Sequence, residues 1–149
     1  MGQRSLVNAI AMLGAVVLLT GCTSDERTDD VDLPSFSSLD EAYAAVDQSL
    51  GCEADPAGEP IVPMVDGRLT SEQRLCAEHV QIDMYPDSDR LQTSLDMLAE
   101  TNQGELQLVR GENWMVLDTT VVATDEPTKW NLERLAQDVG GEYIVTGTG

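Results

Sequence analysis

The chain has 149 residues, with 27 Asp or Glu against 8 Lys or Arg and a formal net charge of −19. So acidic a surface repels phosphate backbones and anionic head groups, which excludes nucleic-acid binding and direct adsorption to an acidic bilayer. The length excludes a two-lobed receptor closing around a central cleft, and suits one domain with an apolar core of its own.

Met1 to Arg4 carries a single positive charge, and Leu6 to Leu19 is apolar with Asn8 as the main exception. This is a charged n-region followed by an h-region, too short for a comfortable membrane span of about 20 apolar residues. Leu19-Thr20-Gly21-Cys22 closes the run with small residues and a cysteine, the pattern a lipoprotein signal peptidase requires. Residues 1–21 are therefore expected to be a lipoprotein signal peptide, with Cys22 becoming the lipidated N-terminus. No twin-arginine pair is present, so Sec export is the simpler route. Two or more acyl chains anchor stably where one does not. The expected location is the cell membrane, anchored by palmitate-type lipid on the extracytoplasmic face.

Residues 22–36 are polar and acidic and read as a flexible tether, with residues 37–149 as a single domain. Their carboxylates read as a solvated face. Asp29-Asp30-Val31-Asp32 is a cluster without calcium-loop spacing. With Cys22 acylated, Cys52 and Cys76 remain as a pair in an oxidising compartment and are expected to form a disulfide. No metal is expected, since His79 is the only histidine available to help two cysteines.

Ser38 and Glu41 form a capping box at the start of a helix. Leu39, Ala42, Tyr43, Val46 and Leu50 supply its apolar stripe, and Gly51 suits its C-terminal cap. Residues 53 to 67 hold three prolines and an Asp66-Gly67 turn, the composition of a surface loop. Thr70 with Gln73 suggests the cap of a short helix. His79 to Met84 alternates as a half-buried strand with Val80, Ile82 and Met84 inward.

Asp87 or Ser88 opens a second helix carrying Leu91, Leu95 and Leu98, which ends near Asn102-Gln103-Gly104. Leu106 and Leu108, then Trp114 to Leu117, form two strands joined by a hairpin at Arg110-Gly111-Glu112-Asn113. Thr128 is placed to cap a third helix with Leu132, Leu135, Ala136 and Val139, ended by Gly140-Gly141. Tyr143-Ile144-Val145 is a last strand. From Val80 onward the order is βαββαβ, which predicts an α+β fold: a ferredoxin-like antiparallel sheet with two helices on one face, plus an extra N-terminal helix.

Over roughly residues 70–147 the chain resembles small secreted actinobacterial lipoproteins of unassigned function. The resemblance rests on Cys76 to Met84, the Tyr85-Pro86-Asp87 exit, Arg110-Gly111-Glu112-Asn113-Trp114-Met115-Val116, and Gly140-Gly141. It implies an anchored extracellular α+β domain at a single-membrane surface and carries no activity with it.

The most distinctive local sequence is Gly111-Glu112-Asn113-Trp114. An exposed Trp beside Asn suits a sugar or peptide. The structural reading is that Gly111 and Asn113 take the positive φ of a tight turn while Trp114 fills core space. Glu78, Asp83 and Glu112 are candidates for a glycosidase-like pair, although two carboxylates about 5 to 9 Å apart arise easily on so acidic a chain. A nucleophile elbow, a P-loop, a dinucleotide fingerprint and zinc spacing are absent from the sequence. The expected function is thus a non-enzymatic interaction or accessory module at the cell envelope. Its partner would be an envelope protein or polymer, with no cofactor and no nucleic acid. A small carboxylate-dependent hydrolase acting on cell-wall polymer is the alternative.

Overall fold

In the computed structural model, residues 32–147 are described. The signal segment, Cys22 and most of the tether lie outside them. The elements are α1 (Leu39–Leu50), β1 (Glu72–Ala77), β2 (Val80–Met84), α2 (Ser88–Ala99), β3 (Leu106–Arg110), β4 (Trp114–Asp118), α3 (Thr120–Thr124), α4 (Leu132–Val139) and β5 (Glu142–Thr146). Among the described residues no helix is long and apolar enough to cross a membrane.

Local chemistry accounts for the helix ends. Ser38 Oγ accepts the Glu41 N–H at 3.2 Å, but the Glu41 carboxylate reaches one residue further back, to the N–H and hydroxyl of Ser37. These bonds hold the exposed Glu41 carboxyl below its ordinary pKa. Gly51 and Gly140 close α1 and α4 in the left-handed region (φ 72° and 70°), where a Cβ is unfavourable. Asp87 caps α2 through the Arg90 N–H. α4 is capped by Asn131 rather than Thr128. The Thr128 hydroxyl instead donates to the buried Asp118 carboxylate, which also accepts the Thr120 N–H and so starts the short α3.

The fold is α+β, with five antiparallel strands in the order β1-β2-β4-β3-β5. It departs from strict ferredoxin-like order in its outer strands. That order would pair the last strand with β2, but Glu72–Ala77, where a helix cap was expected, forms β1 and occupies the free edge of β2. Only two residues, Glu78 and His79, connect β1 and β2, so the hairpin closes locally. β5 is left to pair with β3 on the far edge.

The helices also divide between the faces. α1 and α4 cover one face, packing on Val80, Ile82, Met84, Val109, Trp114 and Val116. α2 covers the other, over Leu106, Leu108, Met115 and Leu117. Both faces of the central strands are therefore buried, and the half-buried strand expected at residues 79–84 is buried at every position from Val80 to Met84.

A bulge between Leu75 and Ala77 in β1 turns both Cys76 and Ala77 into the α1 side. Cys76 there forms a disulfide with Cys52, just past the end of α1 (Cα–Cα 4.6 Å). Arg74 adds a second tie to α1, lying over the Tyr43 ring at 4.9 Å and pairing with Asp40 at 2.8 Å.

Candidate ligand groove

The hairpin singled out by sequence is a clasp for the incoming chain. Trp114 is fully buried, packs on Phe36 at a centroid distance of 5.0 Å, and donates its indole N–H to the Pro34 carbonyl at 2.9 Å. Asn113 bonds the Phe36 N–H and C=O at 3.0 and 2.9 Å, as a neighbouring strand would. The Glu112 N–H donates to Pro34 as well, while the Glu112 residue stays exposed. Pro34 to Phe36 are thus held against the domain, which shortens the tether expected over residues 22–36. Neither Gly111 nor Asn113 has a positive φ. Gly111 is needed for a different reason: a Cβ there would collide with the Trp114 indole and the Pro34 carbonyl. A buried Trp114 offers no sugar-binding face.

A hollow with an apolar lining lies on the opposite face. It has a volume of about 450 Å³, within the range of small-molecule sites. β2, β3 and β4 make its floor with Gln81, Asp83, Leu106, Met115 and Leu117. One wall is the loop segment Ile61–Met64. α2 supplies Ser94, Met97 and Leu98, and α3 supplies Val122 and Ala123. Three of the chain's six methionines, Met64, Met97 and Met115, line it. Their unbranched, polarisable side chains adapt to varied apolar shapes.

The loop wall is held by side chains that imitate a strand partner. The Ile61 N–H donates to Gln81 Oε1 at 2.8 Å, and the Ile61 carbonyl accepts from Gln73 Nε2 and Gln81 Nε2 at 2.7 and 3.1 Å. The same two amides donate to Asp83, Gln73 to Oδ1 at 2.8 Å and Gln81 to both oxygens at 3.0 and 2.9 Å. Arg68 completes the arrangement by donating to Gln73 Oε1 at 3.2 Å. Further along, the Asp66-Gly67 turn folds the loop back, with the Leu69 N–H donating to the Pro63 carbonyl. The result leaves Ile61 and Met64 more than half exposed at the rim (56% and 65%), beside Met97.

Asp83 has no exposed surface, and burial pushes its carboxyl up to about 6 against the pull of the two amides and Arg68. Just past the end of β2, Tyr85 is buried, and its hydroxyl is raised well above the ordinary phenol range, first by burial and then by the Asp83 charge. The Tyr85 hydroxyl lies near Ser94 Oγ, yet neither atom reaches hydrogen-bond geometry with any partner among the described residues. Ser94 is 1% exposed and lines the groove. Buried hydroxyls are normally paired, so two unpaired ones side by side set this part of the fold apart.

Of the carboxylates considered from sequence, Glu78 and Glu112 are exposed, and only Asp83 reaches the groove. Sequence pattern predicted the apolar side of β2 but not this one. Its signal was present in Gln73, Gln81 and Asp83, three polar residues at alternating positions of paired strands. No group of three or more His, Cys, Asp or Glu able to hold a metal occurs among the described residues. No protein-family model, curated protein or solved structure matches the chain.

Proposed function

We propose that this chain is a non-enzymatic binding module of the cell envelope, anchored through lipid on Cys22 and working through the groove between Ile61–Met64 and α2. The observation that carries the reading is the groove itself: an apolar hollow of ligand size with a few converging polar groups at its floor. The anchor rests on the Leu19-Thr20-Gly21-Cys22 pattern and on the resemblance to small actinobacterial lipoproteins. An acidic tether then repels the bilayer and keeps the groove in the aqueous phase. Glycosidases that cut cell-wall polymer commonly use two carboxyl groups facing one bond. The groove offers one, already bonded to two amides, which favours binding over turnover.

Two measurements test this. Metabolic labelling with an alkyne fatty acid should mark the wild-type chain and leave Cys22→Ala unlabelled. An environment-sensitive apolar dye should bind the full chain and lose that binding in Ala123→Phe, which adds a ring at an exposed groove position without touching the core. Equal acylation of Cys22→Ala sinks the anchor. Hydrolysis of cell-wall polymer that depends on Asp83 sinks the non-enzymatic reading.

A further inference from the structure

We infer that the groove takes an elongated, uncharged, lipid-like molecule with one neutral oxygen acceptor, such as an ester carbonyl, seated at Ser94. This rests on the binding-module reading above and adds the chemistry of the ligand.

Charge sets the first limit. Among the described residues no Lys, Arg or His lines the groove, and the one charged group there is the buried Asp83. An anionic head group would meet no counter-charge inside a chain of net charge −19. A cationic head fares no better, because the Asp83 oxygens already accept from Gln73 and Gln81. Reaching them means displacing both amides that hold the Ile61 wall and stripping the cation of water.

The orphan hydroxyls set the second limit. Ser94 lines the groove and its Oγ has no hydrogen-bond partner among the described residues, and the Tyr85 hydroxyl near it is in the same condition. A hydroxyl both donates and accepts. A ligand oxygen that accepts from the Ser94 O–H would draw that proton outward and leave Ser94 Oγ to accept from Tyr85, so that one ligand group satisfies both hydroxyls.

Shape sets the third. Walls of Met64, Met97 and Leu98 suit a flexible hydrocarbon. Exposed Ile61 and Met64 carry the apolar surface beyond the mouth, covering a molecule longer than the groove. A folded protein partner would rest on this rim and leave Ser94 unanswered. A thin chain reaches it.

The test uses three photoreactive probes with the same long alkyl chain, ending in a methyl ester, a carboxylate or a trimethylammonium group. The full chain in detergent micelles is irradiated with each, and labelled peptides are mapped by mass spectrometry. The ester probe should label residues 61–64 and 94–98, with the two charged probes about tenfold or more weaker. Ser94→Ala should lower ester labelling about fivefold, the worth of one hydrogen bond. Ala123→Phe should abolish it, with near-ultraviolet circular dichroism of both variants unchanged as the check on folding. Equal labelling by all three probes, or ester labelling untouched by Ser94→Ala, overturns the ligand class and leaves the groove standing. Labelling that avoids these peptides, or that survives Ala123→Phe, overturns the ligand and the binding-module reading together.

Discussion

On the face covered by α1 and α4, Ala42, Val46, Val80, Ile82, Val109, Trp114, Val116 and Leu135 are fully enclosed. The two helices approach the strand backbones closely, and a disulfide ties α1 to β1. On the face covered by α2 the helix stands further from the sheet, a loop replaces helix over part of the floor, and two hydroxyls lack partners. One sheet thus carries a close-packed face and a hollow one. The difference teaches where the packing is concentrated: side chains interlock on the close-packed face, and the hollow face keeps open space beside a buried acid that packing alone would disfavour.

The comparison breaks most visibly at Trp114. Trp114→Ala removes the largest buried side chain and the clasp on Pro34 and Phe36, and should cost about 3–5 kcal/mol in urea unfolding. A comparable truncation at the groove rim, Met97→Ala, should cost less than about 1 kcal/mol, because Met97 is partly exposed. Similar losses at the two positions would show that the faces are equally packed.

Opening the disulfide is next. The bond joins residues 24 apart, and the chain-entropy treatment gives about 3.5 kcal/mol for a loop of that size. Cys52→Ala, or reduction, should cost about that much, and hydrogen exchange should rise first in α1. α2 shares no tie with Cys52 and should keep its protection. Equal exposure of both helices would erase the contrast.

Asp83 gives a pH-dependent test. Its folded pKa of about 6 lies above the ordinary 3.8, so between these values the folded state holds a proton that the unfolded state has released. Its contribution to stability is therefore fully present below pH 4 and lost as pH rises through 6. Asp83→Asn keeps the shape and removes the charge. The variant should match wild type at pH 3.5 and exceed it by about 2–3 kcal/mol at pH 7.5. Urea midpoints across that range, taken as the difference between the two chains, cancel the other carboxylates. A difference that does not grow with pH would remove Asp83 from the account.

Ser94→Ala should have the smallest effect, within about 1 kcal/mol and of either sign, because the hydroxyl makes no bond to lose. A larger loss would mean that Ser94 is paired in solution and that the hollow face is less open than its geometry indicates.

Much of the architecture was legible from sequence because its determinants are local. The stripe of α1, its Ser38 start and Gly51 end, the Asp87 entry to α2 and the alternation from Val80 to Met84 depend on spacings within a few residues. The cysteine pairing followed from setting Cys22 aside for the expected lipid, which left Cys52 and Cys76 as a pair. β1 was less legible, as Glu72-Gln73-Arg74 is polar and becomes a strand only by pairing with β2. α3 was missed because five residues with an Asp118-made start carry no periodicity. Gly111 was recognised as special for the wrong reason, since the contacts that demand it come from the folded-back Trp114 indole and from Pro34, far away in sequence.

By itself, then, the sequence determined the α+β class, the caps of α1 and the start of α2, the disulfide and the inward side of the central strand, all of which rest on short-range periodicity or on counting. Tertiary structure alone decided which edge β5 joins, which face each helix covers, and that Gln73, Gln81 and Asp83 would be buried under Ile61. Strand order is a competition for free edges, settled once β1 had taken its place beside β2. A polar residue alternating with apolar ones points to solvent unless another segment folds over it, and the pattern within β2 holds no record of that segment.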